Sequence, residues 1–387
     1  MSLSRSQSRS QKTFQQTHLP IQRIFGDEHF TYIFTVDSAS AGIRIDNFTK
    51  SYLGERISRE YIKRKIISKE LVLEKNDGRP YPGNLKASTK IGAGDRVLMR
   101  VLKKEHLNEL ESEHWREEKI EIETNPEIIY EDQELIVINK PPFMATYPTG
   151  RHSLNCATRY FENIYKQTIY SIHRIDRETS GILLLGKNPR ISRNIAESFA
   201  RGRVRKAYFL IAKTTDAQQI VFPLVANQRI DRADSKQFSS RIHMQTFPAE
   251  STIGKEAVTE FRLLEYFPPY LLLLALPQTG RQHQIRVHAA AHGFPLLGDK
   301  IYSIDPQIFI RYKDNQNTLE DYDCLEIPRH ALHAIGISLP EQQNRPSSFI
   351  APLPFDLAQI INQKFTINLA LLQQKIHHEL NNYLKTS

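Results

Sequence analysis

The chain reads as a mixed α/β protein with one sizeable core and a smaller basic module ahead of it. Two kinds of apolar pattern predict this. Short dense runs, Leu135-Ile136-Val137-Ile138 and Ile182-Leu183-Leu184-Leu185, are bounded by Asn, Pro or Gly and suit strands buried on both faces. Between and before them, Ile45, Phe48, Thr49, Tyr52 and Leu53, and later Ile191, Ile195 and Phe199, recur at helical spacing. With 387 residues the chain is long enough for two or three domains.

Residues 1–30 are expected to form a disordered basic tail, since the first two dozen are rich in Ser, Gln and Arg and lack apolar periodicity. A compact module is expected over 42–102. Its first helix carries Ile45 to Leu53, and Ser58 offers an N-cap to a second helix holding Ile62 and Ile66 among Arg59, Lys63, Arg64, Lys65 and Lys69. Leu71-Val72-Leu73 suits a strand, Asn76-Asp77-Gly78 a turn, and Gly94-Asp95 the turn into a strand from Arg96 to Val101. Residues 103–125 are densely charged and read as a linker, partly helical. A larger domain is expected over 126–360, with a C-terminal helical extension over 361–387.

Lysine and arginine number 52 against 43 acidic residues, a net charge of +9, which makes a polyanion the natural partner. Cys156 and Cys324 are far apart, so neither a disulfide framework nor a cysteine zinc site is indicated, and a reducing cytoplasm is expected. The first residues lack the apolar stretch of a signal peptide, and no run has the length of a membrane span. The protein is expected to be a monomer.

Three strings carry chemistry. In His173-Arg174-Ile175-Asp176-Arg177-Glu178-Thr179-Ser180-Gly181, one acidic residue stands at the edge of a buried strand, where a carboxylate is costly unless it is paired or used. Taken alone, Asp176 is either a structural ion pair or a catalytic carboxylate. In Arg203-Val204-Arg205-Lys206-Ala207-Tyr208, strand alternation puts Lys206 and Tyr208 on one face. In Gly280-Arg281-Gln282-His283-Gln284-Ile285-Arg286-Val287-His288, a basic string opens a helix that Gly293 is expected to stop. His283, His288, His292 and Asp299 also invite a metal reading, but the zinc-protease spacing is missing and hydrogen-bonding roles are preferred.

Together these strings resemble the active-site motifs of the RluA-type pseudouridine synthases, enzymes of ribosomal and transfer RNA. Ile175, Gly186 and Gln282 are mild departures from the family pattern. The resemblance covers about 42–356 and is least family-like between Asn227 and Ser251. It implies a mixed, largely antiparallel sheet with a central cleft, and isomerisation of uridine to pseudouridine without metal or nucleotide cofactor. Asp176 is then the catalytic nucleophile or base, acting at C1′, at C6 or on a ribose proton. Tyr208 lies against the uracil and handles a proton, and Arg286 pairs with Asp176, a bidentate guanidinium suiting that task. His173, Lys206 and Arg281 are expected to bind substrate, Lys140 either to meet RNA at the surface or to serve as a structural lysine at the strand end, and Arg174 to fill the space left by an extruded base.

The module over 42–102 resembles the S4 RNA-binding domain through Ser58-Arg59 and Gly94-Asp95-Arg96. That likeness assigns Arg59, Lys63 and Arg64 to phosphate binding. Large-subunit ribosomal RNA is the first expectation for the target and transfer RNA the second. A catalytically silent RNA-binding protein and a metal-dependent hydrolase are the other function classes.

Overall fold

A computed structural model describes residues 21–25, 29–53, 58–102, 125–148, 156–214, 220–233, 242–314, 316–341 and 345–385. The expected linker lies outside the described residues except for Asn125, as do residues 1–20 of the expected tail.

The N-terminal module comprises β1 (Ile21–Phe25), β2 (His29–Thr35), α1 (Ile45–Leu53), α2 (Arg59–Ile67), β3 (Leu71–Glu74) and β4 (Arg96–Leu102). Its antiparallel sheet runs β1-β2-β4-β3. Phe34, Ile45, Phe48, Ile62, Leu71 and Val97 close its core, so α1 and α2 bury the faces that their spacing marks. The Ser58 hydroxyl accepts from the Tyr61 amide at 3.1 Å and fixes where α2 begins. Gly78 takes φ +81° in the turn after β3.

One boundary is corrected. Residues 21–25 and 29–30, placed in a disordered tail from the sequence, belong to β1 and β2, and β2 pairs with β4 along its whole length. The physical reason is burial downstream: Tyr32, Ile33 and Phe34 are almost fully enclosed, which anchors a strand that starts among polar residues.

The larger domain contains β5 (Glu127–Glu131), β6 (Leu135–Lys140), α3 (Ala157–Tyr165), β7 (Tyr170–Ser171), β8 (Ser180–Gly186), α4 (Pro189–Ala200), β9 (Arg205–Lys213) and β10 (Leu224–Ala226). Next come β11 (Arg229–Arg232), β12 (Met244–Phe247), β13 (Thr259–Phe267), β14 (Tyr270–Pro277), α5 (Gln284–Ala291), α6 (Gln307–Lys313) and α7 (Leu319–Leu325). The chain ends with β15 (Leu332–Ser338), β16 (Ser348–Ile350), α8 (Phe355–Lys364) and α9 (Leu369–Lys385). The main sheet runs β10-β13-β14-β9-β15-β8-β6-β5, with β16 beside β15 and β7 beside β8. Among the described residues only β15 and β8 pair as parallel strands, so the sheet is mixed and largely antiparallel, as expected.

Strand alternation along β9 divides the domain into two layers. Ala207, Phe209 and Ile211 point into a core closed by Leu357 and Ile361 of α8 and by Leu372, Ile376, Leu380 and Leu384 of α9. Tyr208, Leu210 and Ala212 face the other way, toward Ile285 and Ala289 of α5. The C-terminal segment is therefore part of the domain's core rather than an appendage, and a boundary at residue 360 would cut α8. The second layer carries the functional site.

Gly181 shows why the first motif ends in glycine. Its φ is +105°, and a Cβ there would stand 2.3 Å from the Ala334 carbonyl oxygen of the parallel neighbour. Close approach of β8 to β15 sets the loop before it, and so Asp176, against the sheet. Among the described residues no helix is long and apolar enough to cross a membrane.

Candidate active site

A cavity of about 570 Å³ opens where the loop before β8, the start of β9 and the turn from β14 into α5 converge. Asp176, Lys206, Tyr208, His283 and Arg286 line it. The three sequence motifs, separated by up to 110 positions, thus meet in one place.

Asp176 is mostly enclosed, with its side chain 24 % exposed. The Arg286 Nη1 donates to its Oδ2 at 2.9 Å, and the His283 Nε2 stands 3.9 Å from the same oxygen. Burial opposes ionisation here, but attraction to His283, Arg286 and His330, the two imidazoles counting only once protonated in acid, outweighs it and holds the carboxyl well below the usual range. Burial pushes His283 itself down to about 4, so at neutral pH the permanent charge facing Asp176 is the guanidinium.

The pairing of Arg286 with Asp176 is present, but its geometry corrects the expectation. The bidentate partner of Arg286 is Asp299: Nε reaches its Oδ2 at 2.7 Å and Nη2 its Oδ1 at 2.8 Å. Asp176 receives the remaining Nη1 alone. Asp299 is fully buried and also accepts from the amides of Ile301 at 2.9 Å and Tyr302 at 3.1 Å. These amides pin the carboxylate, the carboxylate pins the guanidinium, and the guanidinium aims one N–H at Asp176. Sequence reasoning places Asp299 only among the candidate metal ligands and misses its pairing with Arg286, because that partner lies across a helix and the turn after it.

Tyr208 lies on the cavity wall beside Lys206, as the alternation predicts. Burial and the Asp176 charge raise its phenol pKa, so the hydroxyl stays protonated. Lys206 donates to the Thr279 carbonyl at 2.8 Å; burial, then Arg281, lowers it to about 8, which leaves it mainly cationic at neutral pH. His173 forms another wall. Its Nε2 accepts from the Leu184 amide at 3.0 Å, its ring stacks on Phe199 at 4.8 Å, and burial pushes it down to about 3, so it is neutral. Arg174 is exposed at the mouth, donating to the Tyr147 hydroxyl at 2.8 Å. Arg281 is also exposed, with its Nε on the Glu256 carbonyl at 2.8 Å.

Lys140 is a correction. Expected to meet RNA at the surface, it is 0 % exposed and its ammonium donates to the carbonyls of Pro141 at 2.8 Å, Met144 at 2.8 Å and Arg177 at 3.1 Å. Three carbonyls satisfy the three donors of a buried ammonium, so its work is to tie the turn after β6 to the catalytic loop. Behind that loop, Glu178 meets Lys300 at 3.3 Å and His330 Nδ1 at 3.4 Å, while His330 Nε2 bonds Thr179 at 2.8 Å. Glu178 and Thr179 stand in the first motif, which assigns them no role. They brace Asp176 from below.

His288 bonds Thr259 at 3.1 Å and the Gln228 carbonyl at 3.0 Å, and His292 Nε2 lies 2.9 Å from the Gln228 side-chain nitrogen. Among the described residues no three His, Cys, Asp or Glu side chains are grouped to hold a metal ion. In the N-terminal module, Arg59, Lys63 and Arg64 are exposed on α2, with Arg59 Nε 2.7 Å from Asp46 and Lys63 3.3 Å from Glu60.

A family model described as RNA pseudouridylate synthase matches residues 134–291, which include all three motifs. Ribosomal large subunit pseudouridine synthase D of Escherichia coli (strain K12) is 31% identical over 252 residues, covering 61% of this chain and 69% of that protein. The protein of the same name from Salmonella typhimurium is 28% identical over 348 residues, covering 85% of this chain and 92% of its own. The chain belongs to the RluA-type RNA pseudouridine synthases. Among solved structures, Human RNA Pseudouridylate Synthase Domain Containing 1 aligns with a TM-score of 0.47 at 22% identity, over 65% of this chain and 95% of that one.

Proposed function

We propose that this enzyme isomerises uridine to pseudouridine in large-subunit ribosomal RNA, with Asp176 as the reacting carboxylate. The observation that carries the reading is the ionised Asp176 at a cavity wall, held by Arg286 and faced by Lys206 and Tyr208. The choice of RNA rests on the relatives, whose names specify the ribosomal large subunit.

The reaction breaks the N1–C1′ bond, turns the base and forms C5–C1′; the C5 proton leaves and N1 gains one. Nothing is oxidised or consumed. Asp176 supplies the negative charge, either as nucleophile or by taking a proton. Tyr208 enters as a neutral phenol, so it offers the uracil a stacking wall, and it can accept the C5 proton only by passing on its own. Lys206 and Arg281 contribute positive charge beside the cavity for the flanking phosphates. Arg174, exposed at the mouth with its guanidinium 5.5 Å from the Tyr147 ring centroid, is suited to fill the place of an extruded base. The N-terminal module acts as an S4-like RNA-binding unit presenting Arg59, Lys63 and Arg64 to phosphates.

Mapping pseudouridines in total RNA with and without the gene tests the target. The proposal expects sites to vanish from large-subunit ribosomal RNA. Loss confined to transfer RNA would move the target, and loss nowhere would leave a silent RNA-binding protein.

A further inference from the structure

Asp176 is held unevenly. Both the Arg286 Nη1 at 2.9 Å and the His283 Nε2 at 3.9 Å face Oδ2, whereas Oδ1 has no hydrogen-bond partner among the described residues. The tautomer of His283 follows from its other nitrogen. The Tyr302 hydroxyl lies 2.9 Å from His283 Nδ1 and accepts the Met244 amide at 3.0 Å. With its oxygen accepting the hydrogen bond of that amide, the hydroxyl has its own proton to donate, and among the described residues His283 Nδ1 is its acceptor. The neutral imidazole then carries its proton on Nε2, the atom turned to Asp176. Tyr302 is itself 6 % exposed and packed under the Arg286 guanidinium, 5.2 Å from its ring centroid, so the donor is fixed in place.

We infer that His283 is a positioning residue for the reaction: Tyr302 holds it as the Nε2–H tautomer, it clamps Asp176 Oδ2 together with Arg286, and it leaves Oδ1 as the oxygen presented to the uridine. This rests on the proposed role of Asp176 and adds to it which oxygen reacts and what fixes the carboxylate's rotation. The 3.9 Å separation is longer than a hydrogen bond, and catalytic contacts of this kind tighten as the reacting complex forms.

The backbone of His283 makes the test discriminating. Its φ is +56°, in the left-handed region, where asparagine is far better tolerated than glutamine. A purely conformational role for His283 therefore ranks His283→Asn above His283→Gln. The inference ranks them in reverse, because the glutamine amide nitrogen can reach the place of Nε2 and the asparagine amide only that of Nδ1.

Single-turnover rates at saturating RNA are measured for both variants and for Tyr302→Phe, together with RNA affinity and thermal unfolding. The expected result is His283→Gln faster than His283→Asn, with the latter down by about tenfold or more and RNA affinity little changed. Tyr302→Phe should lower the rate while leaving affinity intact, and 15N shifts of the His283 ring should show protonated Nε2 in the wild type and mixed tautomers in that variant. Asparagine equal to or faster than glutamine, or a wild-type ring protonated on Nδ1, overturns the inference. Failure of the Asp176 reading is separate, since it would show as activity surviving in Asp176→Asn.

Discussion

Replacing Asp299 by Asn removes the anchor of Arg286 without touching Asp176. In the folded chain Asp299 takes two guanidinium N–H groups at 2.7 and 2.8 Å and two backbone amides. Asparagine keeps one oxygen and sets an NH2 against donors, so one charge-assisted bond is lost and a buried cation loses half its compensation. Breaking a buried pair from one side costs about 3–5 kcal/mol of stability. For the chemistry, what loosens is the aim of Nη1 at Asp176, a bond to a charged group worth about 1.5–3 kcal/mol, or about 10- to 150-fold in rate. The assay is tritium release from RNA carrying 5-3H uridine, because C5 must lose its hydrogen when the new bond forms.

Acid supplies a second readout on the same variant. The Asp299 pKa falls from 3.8 to about 2 because the Arg286 charge and hydrogen bonds outweigh burial, which acts the other way. A carboxylate with a depressed folded pKa gives stability that is complete above the unfolded value and is lost as pH falls through the folded one. The gap in unfolding free energy between wild type and Asp299→Asn should thus narrow between pH about 4 and about 2. A variant with the wild-type rate and the wild-type urea midpoint would refute the anchoring argument.

Lys140→Met should lower stability by at least about 2 kcal/mol, because three buried carbonyls lose their donor, while RNA affinity and its salt dependence stay as they were. Unchanged urea unfolding with weakened RNA binding would return Lys140 to the RNA surface. Replacing Arg59, Lys63 and Arg64 together by Ala should weaken RNA binding and flatten its salt slope by about 1 for each phosphate left without a cation, with the single-turnover rate at saturation little altered. An unchanged slope with a collapsed chemical step would mean that the N-terminal module shapes the active site instead.

The parts legible from sequence are those whose physics is local. Ser58 caps the helix that follows it, Gly293 with φ +81° ends α5, and alternation along β9 puts Lys206 and Tyr208 on one wall. Asp176 and Arg286 could be paired from their motifs, whereas the division of the guanidinium between two carboxylates could not, because it depends on how the chain after α5 returns. Lys140 shows the same limit. A lysine at a strand end suits solvent until Arg177, 37 positions later, brings a carbonyl to it. The polar start of β2 hid a strand that the burial of Tyr32 and Phe34 anchors, and α9 was legible as a helix but not as the cover of the sheet.

The most direct measurement is tritium release by Asp176→Asn on 5-3H uridine RNA, beside RNA affinity and urea unfolding of the same preparation. Asparagine keeps the shape of the carboxylate and loses its charge and nucleophilicity. The account predicts no release above background from a folded variant that still binds RNA. Release near the wild-type rate would contradict it, and would remove Asp176 from the chemistry.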